Sequence, residues 1–375
     1  MSKLAMRRAW FQVHKWLGLV LAILIIPLSL SGAALVWDEG LDRMLNPQRF
    51  AVSGDTMLSP DAYVAAAARV LKPGDRIAML TLPEDDGPVV VAARPATAGK
   101  PRPGPPQRTM VYLDPPTARV LEVAAGGAGV LRFLHVLHGS LLVPGVGRMI
   151  VGWIGVAMMV SSFTGLWLWW PTVGRWARGL RWKRHRNTDT NLHYLSGFWI
   201  ALPLFVLSLT GMWISFPQVF AKGGGGAPRG PDRGAMMRAK PLAKPALALD
   251  TVLARAGARG RGDVRSVTWP TDLKADWTVA YVGGDGPPRQ FAVADGSGAV
   301  SVAPMRGAGD PVMMLMRRVH DGKGMGMVWQ VIIFVGGILP AVLAVTGIIM
   351  WWRARSWKAE LAAKQRARRR PVPAE

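Results

Sequence analysis

Four stretches without a single charged residue constrain this chain more than any other feature: Trp16–Trp37, Met149–Trp170, Leu195–Phe216 and Val328–Trp352. Each is at least 22 residues long, and about 20 apolar residues suffice for a helix to cross a hydrocarbon core of about 30 Å. Half of the 375 residues are hydrophobic and 17 are Trp, which excludes an ordinary soluble domain. The expected fold class is therefore a membrane α-helical protein with four transmembrane helices. The first run is longer than the apolar region of a secretory leader and no A-x-A site follows it, so it reads as a span and not as a cleaved signal.

Charge orients the spans. Residues 1–15, 171–192 and 353–375 hold 18 of the 46 Lys and Arg within 60 residues, and the two long interhelical segments hold the other 28 within 222. By the positive-inside rule both termini and the short loop are cytoplasmic, and the long segments lie outside. The layout is a basic arm (1–15), TM1 (16–37), an outer segment (38–148), TM2 (149–170), a basic loop (171–192), TM3 (193–216), a second outer segment (217–327), TM4 (328–352) and a basic tail (353–375). The net charge of +23 invites a nucleic-acid partner, but the inner basic residues flank membrane spans, where anionic lipid headgroups account for them.

Each outer segment reads as a small α+β domain. In the first, Ser59-Pro60-Asp61 opens a helix that Lys72-Pro73-Gly74 ends, and strand-like runs begin near Arg76, Pro88, Thr109 and Ala118, with a Pro-rich loop between the second and third. The second segment opens with the linker GGGGAPRGPDRG and repeats the order: a helix from about Asp250 to Ala256, then strands near Val264, Trp277, Arg289 and Ala299.

The spans repeat as well. His14 and His193 each lie 18 positions before the Gly of a small-residue-Gly pair, at Gly32 and Gly211, and His138 and His320 each lie 27 positions before Gly165 and Gly347. The chain therefore reads as two tandem copies of one unit. A pseudo-two-fold axis would bring His14 to His193 near the inner face and His138 to His320 near the outer face. Facing neutral imidazoles in a bundle core are what bis-histidine haem ligation requires. Two haems, one per leaflet, would form an electron path that one haem could not span. His135 is the alternative to His138, one helical turn away, although Arg317 occupies its counterpart position; His185 reads as a loop residue. Gly18, one turn after His14, leaves room for a flat group beside the ring, and Ser31-Gly32 suits close helix contact. Arg132, Arg148, Arg317 and Arg318 could meet haem propionates or headgroups, and Met313, Met314, Met316, Met325 and Met327 read as adaptable packing.

The chain has no Cys, which excludes disulfides, iron–sulfur clusters and covalently attached c-type haem, so any haem is held non-covalently, and haem b is the expected cofactor. No dinucleotide fingerprint, Walker motif or H-E-x-x-H occurs. The inner segments are too small to hold NADPH or flavin, so electrons would come from quinol or a separate flavoprotein.

The residues H-K-W-L-G at His14, L-H-V-L-H-G-S-L-L at Leu134, T-G-L-W-L-W-W-P at Thr164, L-H-Y-L-S-G at Leu192 and L-D-P-P-T-A-R-V-L at Leu113 make the whole chain similar to the PepSY-associated transmembrane, or iron-regulated membrane, proteins of the bacterial inner membrane. The resemblance implies that both outer segments are periplasmic PepSY-like domains, and that the chain is similar to di-haem reductases of ferric siderophores or other ferric chelates, with His14, His193, His320 and either His138 or His135 as axial ligands. The turn at Pro116–Arg119 departs from the family, which has a Gly there. Outer-sphere electron transfer needs no catalytic acid, base or nucleophile. Basic residues of the second segment, Arg229, Arg233, Arg238 and Lys240, could draw anionic chelates, although a solvated linker also explains them. PepSY domains also resemble protease-inhibitory propeptide modules, so the alternative is a non-redox, membrane-anchored regulator of a periplasmic peptidase.

Overall fold

The computed structural model describes residues 2–95, 108–126, 128–170, 176–181, 185–220, 239–260, 262–283, 289–303 and 311–368. The Pro-rich insert and the glycine linker, with Arg229, Arg233 and Arg238, lie outside the described residues. The helices are α1 (Lys3–Leu35), α2 (Asp38–Leu45), α3 (Pro60–Val70), α4 (Gly129–Ser140), α5 (Gly147–Trp169), α6 (Thr188–Ser215), α7 (Pro217–Phe220), α8 (Leu249–Gly257), α9 (Pro311–Asp321) and α10 (Met327–Arg368). The strands are β1 (Asp75–Thr81), β2 (Val89–Pro95), β3 (Arg108–Leu113), β4 (Val120–Gly126), β5 (Asp263–Thr268), β6 (Asp276–Val282), β7 (Arg289–Ala294) and β8 (Val300–Ala303). They form two compact units, one of residues Met1–Trp37, Leu134–Gly223 and Pro311–Glu375, the other of Asp38–Phe133 and Gly224–Asp310.

The first unit is helical. Among the described residues, four helices are long and apolar enough to cross a membrane, with spans Leu4–Leu35, Gly147–Trp169, Thr188–Ser215 and Met327–Trp357. A helix satisfies its own backbone hydrogen bonds, which lipid cannot do. Three of these helices run past the expected span ends. The basic arm continues α1 outward to Lys3, where the Ser2 hydroxyl accepts from the Ala5 N–H as an N-cap. Helix α6 starts at Thr188 rather than 193, with Asp189 in its first turn paired to Arg353, and α10 carries the basic tail to Arg368. Lys, Arg, Ala, Glu and Gln are good helix formers, so the polar ends propagate the helix the apolar run begins.

Helices α1 and α6 each pack against both α5 and α10. Small residues allow the approach: a Cβ on Gly337 would stand 2.7 Å from the Cβ of Ala33, and one on Gly155 would stand 3.2 Å from the Ser208 carbonyl oxygen. Helix α10 thus meets α1 at Ala33, the residue after the Ser31-Gly32 pair. Ile25, Leu28, Ile154 and Met158 fill the centre between α1 and α5. Arg7 donates to the carbonyls of Trp167, Leu168 and Trp170 at the C-terminal end of α5, and Arg148 to that of Ile214 near the end of α6, covering acceptors that a helix leaves open.

The second unit is one eight-stranded antiparallel sheet in the order β4-β3-β2-β1-β5-β6-β7-β8. The helix-then-four-strands order expected of each segment is present in both. The two segments nevertheless do not stand apart as separate domains. Strands β1 and β5 pair through Met79↔Thr268, Leu80↔Val267 and Thr81↔Ser266, and one core runs from Tyr63, Leu80, Val91 and Val111 to Val252, Val267, Trp277 and Phe291. Pairing covers two strand edges that separate domains would leave open. The chain from Leu134 and from Pro311 onward belongs with the helices instead. Ala118, in the turn that lacks the family's Gly, has φ +53°, and its amide donates to Asp114 O as that of Gly298 (φ +68°) does to Ala294 O.

Candidate functional site

The bundle end that carries the chain termini holds the first histidine pair. His14 on α1 and His193 on α6 have ring centres 6.4 Å apart. Each ring is seated on a neighbouring helix. His14 Nδ1 lies 3.1 Å from both Ser161 O and Thr164 Oγ1 of α5, and His193 Nδ1 lies 2.9 Å from Thr346 Oγ1 of α10. The glycine after each threonine admits the ring edge: a Cβ on Gly165 would meet His14 Cε1 at 3.0 Å, and one on Gly347 would meet His193 Cε1 at 3.5 Å.

A cavity of about 790 Å³ opens beside this pair, within the range of cofactor pockets. Its walls include Gly18, Gly197, Leu168, Trp169 and Phe198, with Lys15 and Arg355 also lining it. A Cβ on Gly18 would meet nothing within 4 Å, so the helix face one turn beyond His14 is open. Trp169 and Phe198 stack with centres 4.1 Å apart and form a flat apolar wall.

The second pair comes from the short helices that lead into α5 and α10. His138 on α4 and His320 on α9 have ring centres 6.0 Å apart. His138 Nδ1 lies 2.8 Å from Leu28 O of α1; His320 Nδ1 lies 3.0 Å from Thr210 Oγ1 and 3.1 Å from Leu207 O of α6. Gly32 and Gly211 supply the clearance, with a hypothetical Cβ at 2.6 Å and 3.0 Å from the respective Cε1 atoms. Burial pushes the His138 imidazolium down, and burial together with the facing His138 pushes His320 down to about 4. Both rings are therefore neutral at pH 7, with a lone pair available on one nitrogen.

The sequence grouped His14 with Gly32 and His193 with Gly211 along single spans, whereas in space Gly32 seats His138 and Gly211 seats His320. The 27-residue interval likewise links His138 to Gly165 and His320 to Gly347, whereas in space Gly165 seats His14 and Gly347 seats His193, and nothing local marks a glycine as a ring seat. His135 is exposed on α4, and His138 is the residue brought to His320. His185 packs against Tyr194 at 4.6 Å while its backbone is clamped by Asn191. Of the arginines named with the second histidine pair, Arg148 and Arg318 donate to the carbonyls of Ile214 and Gly324. The amide of Lys240 donates to Asp272.

Four membrane-spanning helices with two facing histidine pairs, joined to an antiparallel sheet built from two interhelical segments, define a multi-span membrane protein with an α+β extramembrane unit. More narrowly, the chain belongs to the PepSY-associated TM region family, whose family model matches residues 11–354. No curated protein matches the chain.

Proposed function

We propose that the chain binds two haem b groups, one at each histidine pair, and carries electrons across the bacterial inner membrane to a ferric siderophore or other ferric chelate in the periplasm. One observation carries this reading: the ring-centre separations of 6.4 Å and 6.0 Å. Two metal–imidazole bonds of about 2 Å each, plus the distance from nitrogen to ring centre on both sides, add up to roughly 6 Å. Direct imidazole hydrogen bonding is not needed to hold the rings, because Nδ1 of each is already engaged by a neighbouring helix. Nε2 is left for a ligand.

The remaining residues fit a planar group. Gly18 and Gly197 keep the helix faces next to His14 and His193 low, and Trp169 and Phe198 supply a flat apolar wall. A bound haem iron supplies one-electron exchange between its ferric and ferrous forms without a proton acceptor or nucleophile. Leu28, which holds His138, follows His14 on α1 by fourteen positions, or about 21 Å of helix at ~1.5 Å per residue. The two pairs thus sit toward opposite faces of a hydrocarbon core about 30 Å thick. The positive-inside rule applied to the basic arm, loop and tail supports cytoplasmic termini and a periplasmic sheet. Quinol or a separate flavoprotein supplies the electrons.

The test is a reduced-minus-oxidised absorption spectrum of the purified protein with haem quantified per chain, alongside His14→Ala and His320→Ala. Two b-type haems, with one lost in each variant, support the reading and make chelate reduction the next assay. A protein that stays colourless when haem is supplied during expression overturns it.

A further inference from the structure

We propose that Thr164, Thr210 and Thr346 are positioning residues that lock His14, His320 and His193 in the Nδ1–H tautomer and so aim the Nε2 lone pair at the facing ring. A threonine hydroxyl has one proton, and here each is directed to a carbonyl of its own helix: Thr164 Oγ1 to Val160 O at 2.8 Å, Thr210 Oγ1 to Val206 O at 2.9 Å, and Thr346 Oγ1 to Val342 O at 2.8 Å. With the proton used there, the oxygen can only accept. The histidine nitrogens at 3.1, 3.0 and 2.9 Å from these oxygens must then carry the hydrogen. Two carbonyls give the same answer independently, since a carbonyl accepts and never donates: Ser161 O at 3.1 Å from His14 Nδ1, and Leu207 O at 3.1 Å from His320 Nδ1. A neutral imidazole protonated at Nδ1 has its lone pair on Nε2.

The fourth seat shows what threonine adds. At the matching place stands Ser31, whose hydroxyl turns to Pro27 O and Leu28 O of its own helix, and His138 Nδ1 is held by the Leu28 carbonyl alone at 2.8 Å. A β-branched side chain has fewer χ1 wells than serine. The three threonines thus add a fixed second acceptor, and the adjoining glycine lets the ring edge reach it.

The haem readout below rests on the proposed function; the tautomer does not. In metal-free protein carrying ¹⁵N-histidine, nitrogen chemical shifts of all four paired histidines are expected to report a deprotonated Nε2. Thr346→Val is expected to lower the Nδ1–H population of His193, and after haem loading to weaken the site at the termini end roughly 10–100-fold while the other site is unchanged. Thr346→Ser, which keeps the hydroxyl but loses the β-branch, recovers part of both. An Nε2–H tautomer in the wild type, a Val variant with wild-type tautomer and haem affinity, or a Ser variant as impaired as Val overturns the assignment. A wild type with the expected tautomer that takes up no haem leaves the positioning role standing and overturns the haem reading.

Discussion

A Cβ on Gly32 would stand 2.6 Å from Cε1 and 2.9 Å from Nδ1 of His138, so the imidazole occupies the space that any larger residue would need. The other three seats are graded: 3.0 Å at Gly165 and Gly211, and 3.5 Å, an ordinary contact, at Gly347. Alanine substitutions should follow that order. Gly32→Ala displaces His138, costs about 1–3 kcal/mol of overpacking and, on the proposed two-haem reading, lowers haem content toward one per chain. Gly165→Ala and Gly211→Ala are intermediate, and Gly347→Ala binds as wild type. Haem titration of the four variants checks the ranking, and a strong Gly347→Ala defect with a silent Gly32→Ala would contradict the seating.

The His135/His138 ambiguity has a direct test. His135 is exposed while His138 faces His320 at 6.0 Å. On the proposed two-haem reading, His135→Ala should leave haem content unchanged and stability within about 0.5 kcal/mol, and His138→Ala should remove one haem. Pyridine haemochrome quantification separates the outcomes.

The sheet should fail as a whole. Leu80 is fully buried, pairs with Val267 across the β1–β5 seam and belongs to a core shared by both segments. Leu80→Ala should cost roughly 2–5 kcal/mol. Hydrogen exchange should then accelerate in β6 and β7, more than 180 residues away in the sequence, as well as in β2. Faster exchange confined to the first segment would show that the two halves of the sheet are energetically separate.

Two buried carboxylates predict how this unit responds to acid. Burial pushes Asp114 up, but hydrogen bonds from Thr117, from the Ser53 hydroxyl and from the Ser53 amide, with the charge of Arg119, more than reverse it and hold the carboxyl below its ordinary value. Asp295 is likewise raised by burial and brought below its usual value by the Ala246 amide, the Trp277 indole and the Leu247 amide. A depressed folded pKa stabilises above the unfolded value of about 3.9, and that stability is lost as pH falls through the lower folded value. The sheet should therefore hold its stability from neutral pH to about pH 4 and lose it below. Asp114→Asn should cost about 1–3 kcal/mol at pH 7 and flatten the acid limb, measured by thermal unfolding across pH.

Ala118 sits at φ +53° where the equivalent turn uses Gly298 at φ +68°. An L-residue in this region carries a strain of about 1–2 kcal/mol, partly offset by glycine's greater backbone entropy. Ala118→Gly should raise stability by up to about 1 kcal/mol. A destabilised variant would show that the Ala118 methyl, which packs on the core, outweighs the strain.

The parts of this architecture visible in the sequence are those written at short range. Uncharged runs give the four helices, and the 18- and 27-residue intervals give the four histidines that the structure brings together in pairs. The β1–β5 seam was not visible, because pairing between Leu80 and Val267 leaves no periodic mark in either strand. The ring seats were hidden for a different reason. Thr164-Gly165 and Thr346-Gly347 have the composition of any helix-packing pair, and only the imidazoles lodged against them separate the two roles. The helix ends lie beyond the uncharged runs, because Lys, Arg and Asp189 mark the edge of the apolar core and not the end of the helix.

Each histidine is lodged within its own half of the chain: His14 on α5 and His138 on α1 in the first, His193 on α10 and His320 on α6 in the second. Each facing ring comes from the other half. One half thus owns two fully supported imidazoles and no complete pair, which is the composition of a protomer in a two-fold dimer. Neither pair can therefore form without both halves, and the two halves differ where the first has Ser31 and the second Thr210.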